Sequence, residues 1–156
     1  MTKILFICHG NICRSTMAQS YFQNLINEKG LSEEFEINSA ATHRDVLGSS
    51  PHYGTVEKLE EKGIPIVDHR ATLMTKDDYM YYNYLIGMDS ANIQDMNRIS
   101  GGDPDKKIYK LLDFAGIKRD VADPWYTDDF DATWNDTVTG CSALFDHILQ
   151  NENINI

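Results

Sequence analysis

An unbroken apolar run, Ile4-Leu5-Phe6-Ile7, leads directly into Cys8-His9-Gly10-Asn11-Ile12-Cys13-Arg14-Ser15 and then into a helical pattern. A continuous run of this length reads as a strand buried on both faces, as in a parallel sheet covered by helices. From Ser15 onward, Met17, Tyr21, Phe22, Leu25 and Ile26 fall on one helical face, and Gly30 stands where a helix C-cap is expected. A strand, a polar glycine-containing loop and a helix start, in that order, form the first half of a β-α-β crossover.

The same alternation continues along the chain. Segments 35–41, 84–88 and 108–111 read as further strands. Helices are expected from after Pro51 to about Lys62, from Ser90 to Arg98 and from Asp131 to Leu149. The last carries Val138, Cys141, Leu144, Phe145 and Ile148 as its buried stripe. Residues 64–67 read as a short extended piece. With no repeat and no low-complexity linker, residues 1–150 are expected to form one α/β domain, and residues 151–156 a flexible C-terminal tail. In such sheets ligands bind at the carboxyl ends of the strands. Three polar clusters fall there: 8–15, 39–42 and 89–92.

Charge narrows the function. The formal net charge of -10 argues against a nucleic-acid binder and against docking on an anionic membrane. No apolar run approaches a membrane span, and the N-terminus lacks the pattern of a secretory signal, so a cytoplasmic location is expected. The three cysteines, Cys8, Cys13 and Cys141, do not read as a disulfide scaffold, and no Cys/His spacing suggests zinc. Neither a metal nor a cofactor is expected.

The loop after the first strand suits an anion. Successive backbone N–H groups at a helix start form a nest with partial positive charge. Arg14 adds a planar fork for two phosphate oxygens, and Gly10 is expected to supply the conformational freedom of a tight loop. The same environment favours the thiolate of Cys8, which could attack phosphorus in line and form a phosphocysteine. Ser15 could then stabilise that thiolate as a leaving group. Later, Asp120-Val121-Ala122-Asp123-Pro124-Trp125-Tyr126 offers a carboxylic acid on a loop stiffened by proline. Asp123 could protonate a departing phenolate, and Trp125 and Tyr126 could wall an aromatic leaving group. The carboxylates Asp89, Asp120, Asp123, Asp128 and Asp129 are expected to crowd the cleft, so an acidic activity optimum follows.

Together these pieces resemble the low-molecular-weight protein tyrosine phosphatases. The resemblance rests on Cys8 to Ser15, Asn38-Ser39-Ala40, His69-Arg70-Ala71, Gly87-Met88-Asp89-Ser90-Ala91-Asn92 and Asp123-Pro124-Trp125-Tyr126, in the family's order. It implies a single domain with a four-stranded parallel sheet, helices on both faces and an anion-binding loop after strand 1. It further implies Cys8 as nucleophile, Arg14 as transition-state clamp and Asp123 as acid and then base. His9, Gly10, Asn11, Ile12, Cys13 and Ser15 would surround the phosphate, with Trp125 and Tyr126 beside the aromatic ring. Asn11, Ser15, Ser39 and His69 would brace the loop, with Asp89 among its supports. Cys13 resembles a second loop cysteine able to trap Cys8 reversibly, and equally fits a small packing residue.

The chain departs from the family pattern at several positions. Thr16 stands where proline is usual, His9 where an apolar residue is common, and Asn83 where aspartate is frequent. Segment 42–48 lacks the aromatic that many members place on the substrate ring. The implied partner is a phosphotyrosine-containing protein, with phosphate and other oxyanions as inhibitors, and a monomer or weak homodimer is expected. Two other readings are an arsenate reductase on the same fold and a non-catalytic phosphate-binding module. The first needs further cysteines after the third strand, and residues 80–100 hold none. The second requires neither Cys8 nor Asp123.

Overall fold

The structure, a computed structural model, describes residues 1–152. Strands β1 (Thr2–Cys8), β2 (Phe35–Ala41), β3 (Tyr84–Gly87) and β4 (Ile108–Lys110) form one parallel sheet in the order β2-β1-β3-β4. The chain moves one way from β1 to β2, then returns past β1 to place β3 on its other side. That reversal opens a crevice at the carboxyl ends of β1 and β3, the position where such sheets bind ligands.

Strand β1 explains its own composition. Ile4 and Phe6 face a core built with Phe22, Ile26, Leu144 and Phe145, while Leu5 and Ile7 face a second core with Met74, Tyr79, Leu85 and Met96. Alternating residues therefore enter different cores, and both sets must be apolar. The first core belongs to α1 (Arg14–Glu28) and α6 (Phe130–Asn151), the second to α3 (Lys76–Tyr81) and α4 (Ser90–Ser100). Helix α2 (Tyr53–Glu61) packs beside α1 and α6. The expected α/β architecture, with helices on both faces of a four-stranded parallel sheet, is the observed one.

Four local features refine or add to the sequence expectations. Residues 64–67 join no strand: Pro65 lacks an amide donor, and the Val67 amide bonds the Ser20 hydroxyl instead. Helix α3 was not expected; it is short, but Thr75 and Asp78 close a reciprocal capping box around its first turn. The tail does not begin at Asn151, which closes α6, and the Glu152 carboxylate accepts a hydrogen bond from the Tyr84 hydroxyl at 2.9 Å. The rest of that tail, residues 153–156, lies outside the described residues. Finally, Tyr79 and Tyr82 turn inward while Tyr81 stays exposed. Both are buried, with their hydroxyls on Asp103 and Asn38. Among the described residues no helix is long and apolar enough to cross a membrane.

Candidate active site

Strand β1 ends at Cys8, and the next residues curl into the start of α1. The tight backbone conformation falls on Asn11, whose φ is 61°, and not on Gly10. At Gly10 the observation is different: an added Cβ would sit 3.1 Å from Val46 Cγ2 and crowd that side chain. A left-handed asparagine is tolerable because its side chain can hold the turn from within. Here it is fully buried, and all its hydrogen-bonding capacity is used. Its amide nitrogen donates to Ser15 Oγ (2.8 Å) and Ser39 Oγ (2.9 Å). Its oxygen meets His69 Nε2 (2.6 Å) and accepts from the Thr72 amide (3.1 Å). Ser39 in turn donates a hydrogen bond to the Gln19 side-chain oxygen.

That network ends at sulfur. Ser15 Oγ lies 3.1 Å from Cys8 Sγ, and both are buried. Burial pushes the His69 imidazole toward its neutral form, with the nearby Asp68 opposing only in part. A neutral ring with its proton on Nε2 donates to Asn11 and leaves that amide oriented.

Arg14, the first residue of α1, is 3% exposed. Its guanidinium meets Asp89 at 2.9 Å and Asp123 at 3.2 Å, and donates to the Val121 carbonyl at 3.3 Å. Burial works against its charge, but Cys8, Asp123 and Asp89 outweigh that cost and hold it protonated. Asp89 sits there because it is also the N-cap of α4, bonded to the Asn92 amide. It therefore reaches the loop through Arg14, whereas Ser39 and His69 reach it through Asn11.

Burial, with help from Cys8 and Asp123, pushes the Cys13 thiol up to about 12, so it is protonated near neutrality. Burial also raises the Cys141 thiol, which lies in the core on α6 with no exposed surface. A cysteine relay through Cys141 has no route to the surface. Thr16 does not spoil the helix start, since its hydroxyl donates to the Cys13 carbonyl at 3.0 Å.

The carboxyl-bearing loop approaches from the other side. Val121 donates to the Met88 carbonyl, extending the edge of the crevice, and Asp123 caps the short helix α5 (Pro124–Thr127) by accepting from the Trp125 amide at 3.0 Å. Trp125 and Tyr126 project outward, 69% and 85% exposed, and are not core residues. Behind them the loop is anchored by residues that the sequence reading did not single out. Arg119 makes a two-pronged pair with Asp136 of α6, both contacts at 2.8 Å. The Ala122 amide donates to the same carboxylate, and the Thr133 hydroxyl donates to the Ala122 carbonyl. The clue was present in α6: Thr133, Asp136 and Thr137 are polar residues on its buried side, and buried polar groups need partners. The crowding of carboxylates expected around the cleft is relieved at Asp120, where Lys110 holds the acid below its ordinary range.

At the rim, segment 42–48 offers no aromatic, but His9 and His43 stack with ring centres 3.9 Å apart. His9 Nε2 lies 2.6 Å from the Asp45 carboxylate. A pair of imidazoles braced by Asp45 thus stands at the start of the phosphate loop.

Known proteins similar to this chain share one description. A family model described as low molecular weight phosphotyrosine protein phosphatase matches residues 3–154. The low molecular weight protein-tyrosine-phosphatase PtpA of Staphylococcus epidermidis is 33% identical over 155 residues, covering 99% of this chain and 98% of that protein. YfkJ of Bacillus subtilis, of the same description, is 36% identical over 146 residues, covering 92% and 94%. Its crystal structure superposes with a TM-score of 0.94 over 97% of each chain. The SP-PTP structure from Streptococcus pyogenes gives 0.87 at 32% identity, covering 98% of this chain and 97% of that one. The chain belongs to the low molecular weight phosphotyrosine protein phosphatase family.

Proposed function

We propose that this chain hydrolyses phosphotyrosine in proteins, and small aryl phosphates, through a phosphocysteine on Cys8. The observation that carries the reading is the convergence on one loop of Cys8 Sγ beside Ser15 and of the Arg14 guanidinium beside Asp123. The relatives' names point to the same chemistry.

The steps follow from the geometry. The substrate's phosphate replaces the Asp123 carboxylate at Arg14 and takes the loop amides. Ser15 donates to the Cys8 thiolate and keeps it available. Sulfur attacks phosphorus in line as the aryl P–O bond breaks, and Asp123 gives its proton to the departing phenolate. Water then attacks the phosphocysteine and Asp123, now a carboxylate, takes the proton from that water. The S–P bond breaks, releasing inorganic phosphate and restoring the thiolate. Arg14 and the amides neutralise the phosphate throughout, so no metal is required. Cys13 is unsuited to the nucleophilic role because it is held as a thiol. Phosphate and related oxyanions, which fit the same loop, inhibit by competition. The setting we infer is the cytoplasm.

Hydrolysis of p-nitrophenyl phosphate with EDTA present, by the wild type and by Cys8→Ser, tests this. Activity in the wild type that is lost in the variant is expected. A wild type inactive under reducing conditions, or an active Cys8→Ser, would overturn the proposal.

A further inference from the structure

Beside the phosphate loop runs a groove that the chemistry above does not use. Its inner part, about 110 Å³, is lined by Cys13 of the loop, His52 and Tyr53 at the start of α2, and Pro124 and Trp125 of the acid-bearing loop. It shares Tyr53, Asp128 and Phe130 with an outer part of about 460 Å³ that continues along α2 past Glu57 to Glu61. The groove therefore starts at the catalytic loop and leads outward between α2 and the beginning of α6.

Its floor is aromatic and fixed. The His52 ring stacks on Tyr53 with centres 4.4 Å apart and on Phe130 at 5.7 Å. Phe130 lies so close to Gly54 that an added Cβ would sit 2.3 Å from the ring. Two large aromatics, Tyr53 (70% exposed) and Trp125 (69% exposed), stand in solvent along it.

Its rim is acidic: Glu57, Glu61, Asp128, Asp129 and Asp131 line the outer part. The cations there are already paired: Lys58 with Glu61 and Asp131, and Lys62 with Glu61 at 3.7 Å. Glu57 and Asp128 have no cationic partner among the described residues. Exposed aromatic faces beside unpaired carboxylates complement a guanidinium or ammonium on an apolar stem. An anion would be repelled, and an apolar segment would strip water from the carboxylates without compensation. A basic flank would also offset the repulsion between a phosphate ester and a chain of net charge -10.

We infer that this groove seats an arginine or lysine side chain that flanks phosphotyrosine in the substrate, so that the enzyme selects phosphotyrosine in basic sequence. The inference rests on the phosphatase reading above. The test uses phosphotyrosine peptides identical except for Arg or Glu at the flanking positions, placed on either side. Three proteins are compared: the wild type, Glu57→Gln/Asp128→Asn, and Glu33→Gln/Glu34→Gln. The last removes the same charge from exposed residues before β2, at the opposite end of the sheet. Expected in the wild type is a kcat/KM about tenfold higher for Arg over Glu on one side of the phosphotyrosine, carried mainly by KM. It falls to about twofold in the groove variant and persists in the distal one. No preference in the wild type, or one that both variants reduce equally through net charge, overturns the groove. Wild-type failure on p-nitrophenyl phosphate would instead sink the phosphatase reading itself.

Discussion

The loop after β1 and the loop before α6 both reach Arg14, yet they are held in different ways. The first is closed from inside. Asn11 uses every donor and acceptor it has on Ser15, Ser39, His69 and Thr72, and none of that network needs water. The second is anchored at its base, through Arg119, Asp136 and Thr133, and held at Val121 and Asp123 by Arg14, while Trp125 and Tyr126 beyond them stand in solvent. The difference fits the two tasks proposed for them. A phosphate cradle gains from fixed donors that need no reorganisation during reaction. An acid that must release Arg14, lose a proton and recover it gains from a pinned base and a free tip.

The contrast can be broken from either side. Asp123→Asn should have the largest effect, lowering kcat about 10²- to 10³-fold and removing the high-pH decline that a protonated acid imposes. A pH profile of kcat checks this, and an unchanged decline would assign the acid elsewhere. Asn11→Ala should come next, because it strands the partners of a saturated buried amide and places alanine in the left-handed region. We expect a loss of about 2–4 kcal/mol in denaturant unfolding together with a lower kcat. A fall in activity without loss of stability would mean that the network orients but does not hold the loop.

Asp136→Ala should have the smallest effect, about 1–3 kcal/mol of stability with a change of only a few fold in kcat. Its pH signature is specific. Burial raises the Asp136 acid, but Arg119 and the Ala122 amide outweigh it and hold it below 3.8. The folded state thus binds fewer protons than the unfolded one, so this contribution is present above about pH 4 and lost as pH falls through the lowered value. His69, depressed from 6.5, acts with the same sign in a higher window, losing stability as pH drops below about 6.5. Unfolding measured across pH should show both losses in the wild type and a smaller acid loss in the variant, where Asp120, held down by Lys110, still contributes.

The local pattern made the first loop legible. A doubly buried strand, a polar loop and a helix start are adjacent in sequence, so Cys8, Arg14 and Ser15 could be read together. The remaining supports come from distant segments: Ser39 lies near the carboxyl end of β2, where the topology already pointed, while His69, in a stretch without regular structure, was available through the family resemblance alone. The anchor of the second loop was missed because it depends on where α6 passes the segment 119–122, which no short-range pattern encodes. Gly10 was expected to serve backbone freedom. Instead a Cβ there would crowd Val46, and Asn11 takes the left-handed conformation. Short elements such as α3 and α5 escaped because six or four residues carry too little periodicity, although the Thr75–Asp78 box marks α3 in retrospect.

The central claim is that phosphate passes through Cys8. The most direct measurement is rapid acid quench of Asp123→Asn during turnover of p-nitrophenyl phosphate, followed by peptide mass spectrometry. With a good leaving group, formation of the intermediate depends less on the acid, while its hydrolysis still lacks the base. The account predicts one phosphoryl group on the peptide carrying Cys8, located on that sulfur and absent from Cys13. Phosphate on Cys13, or turnover with no phosphorylated enzyme at any quench time, would contradict it.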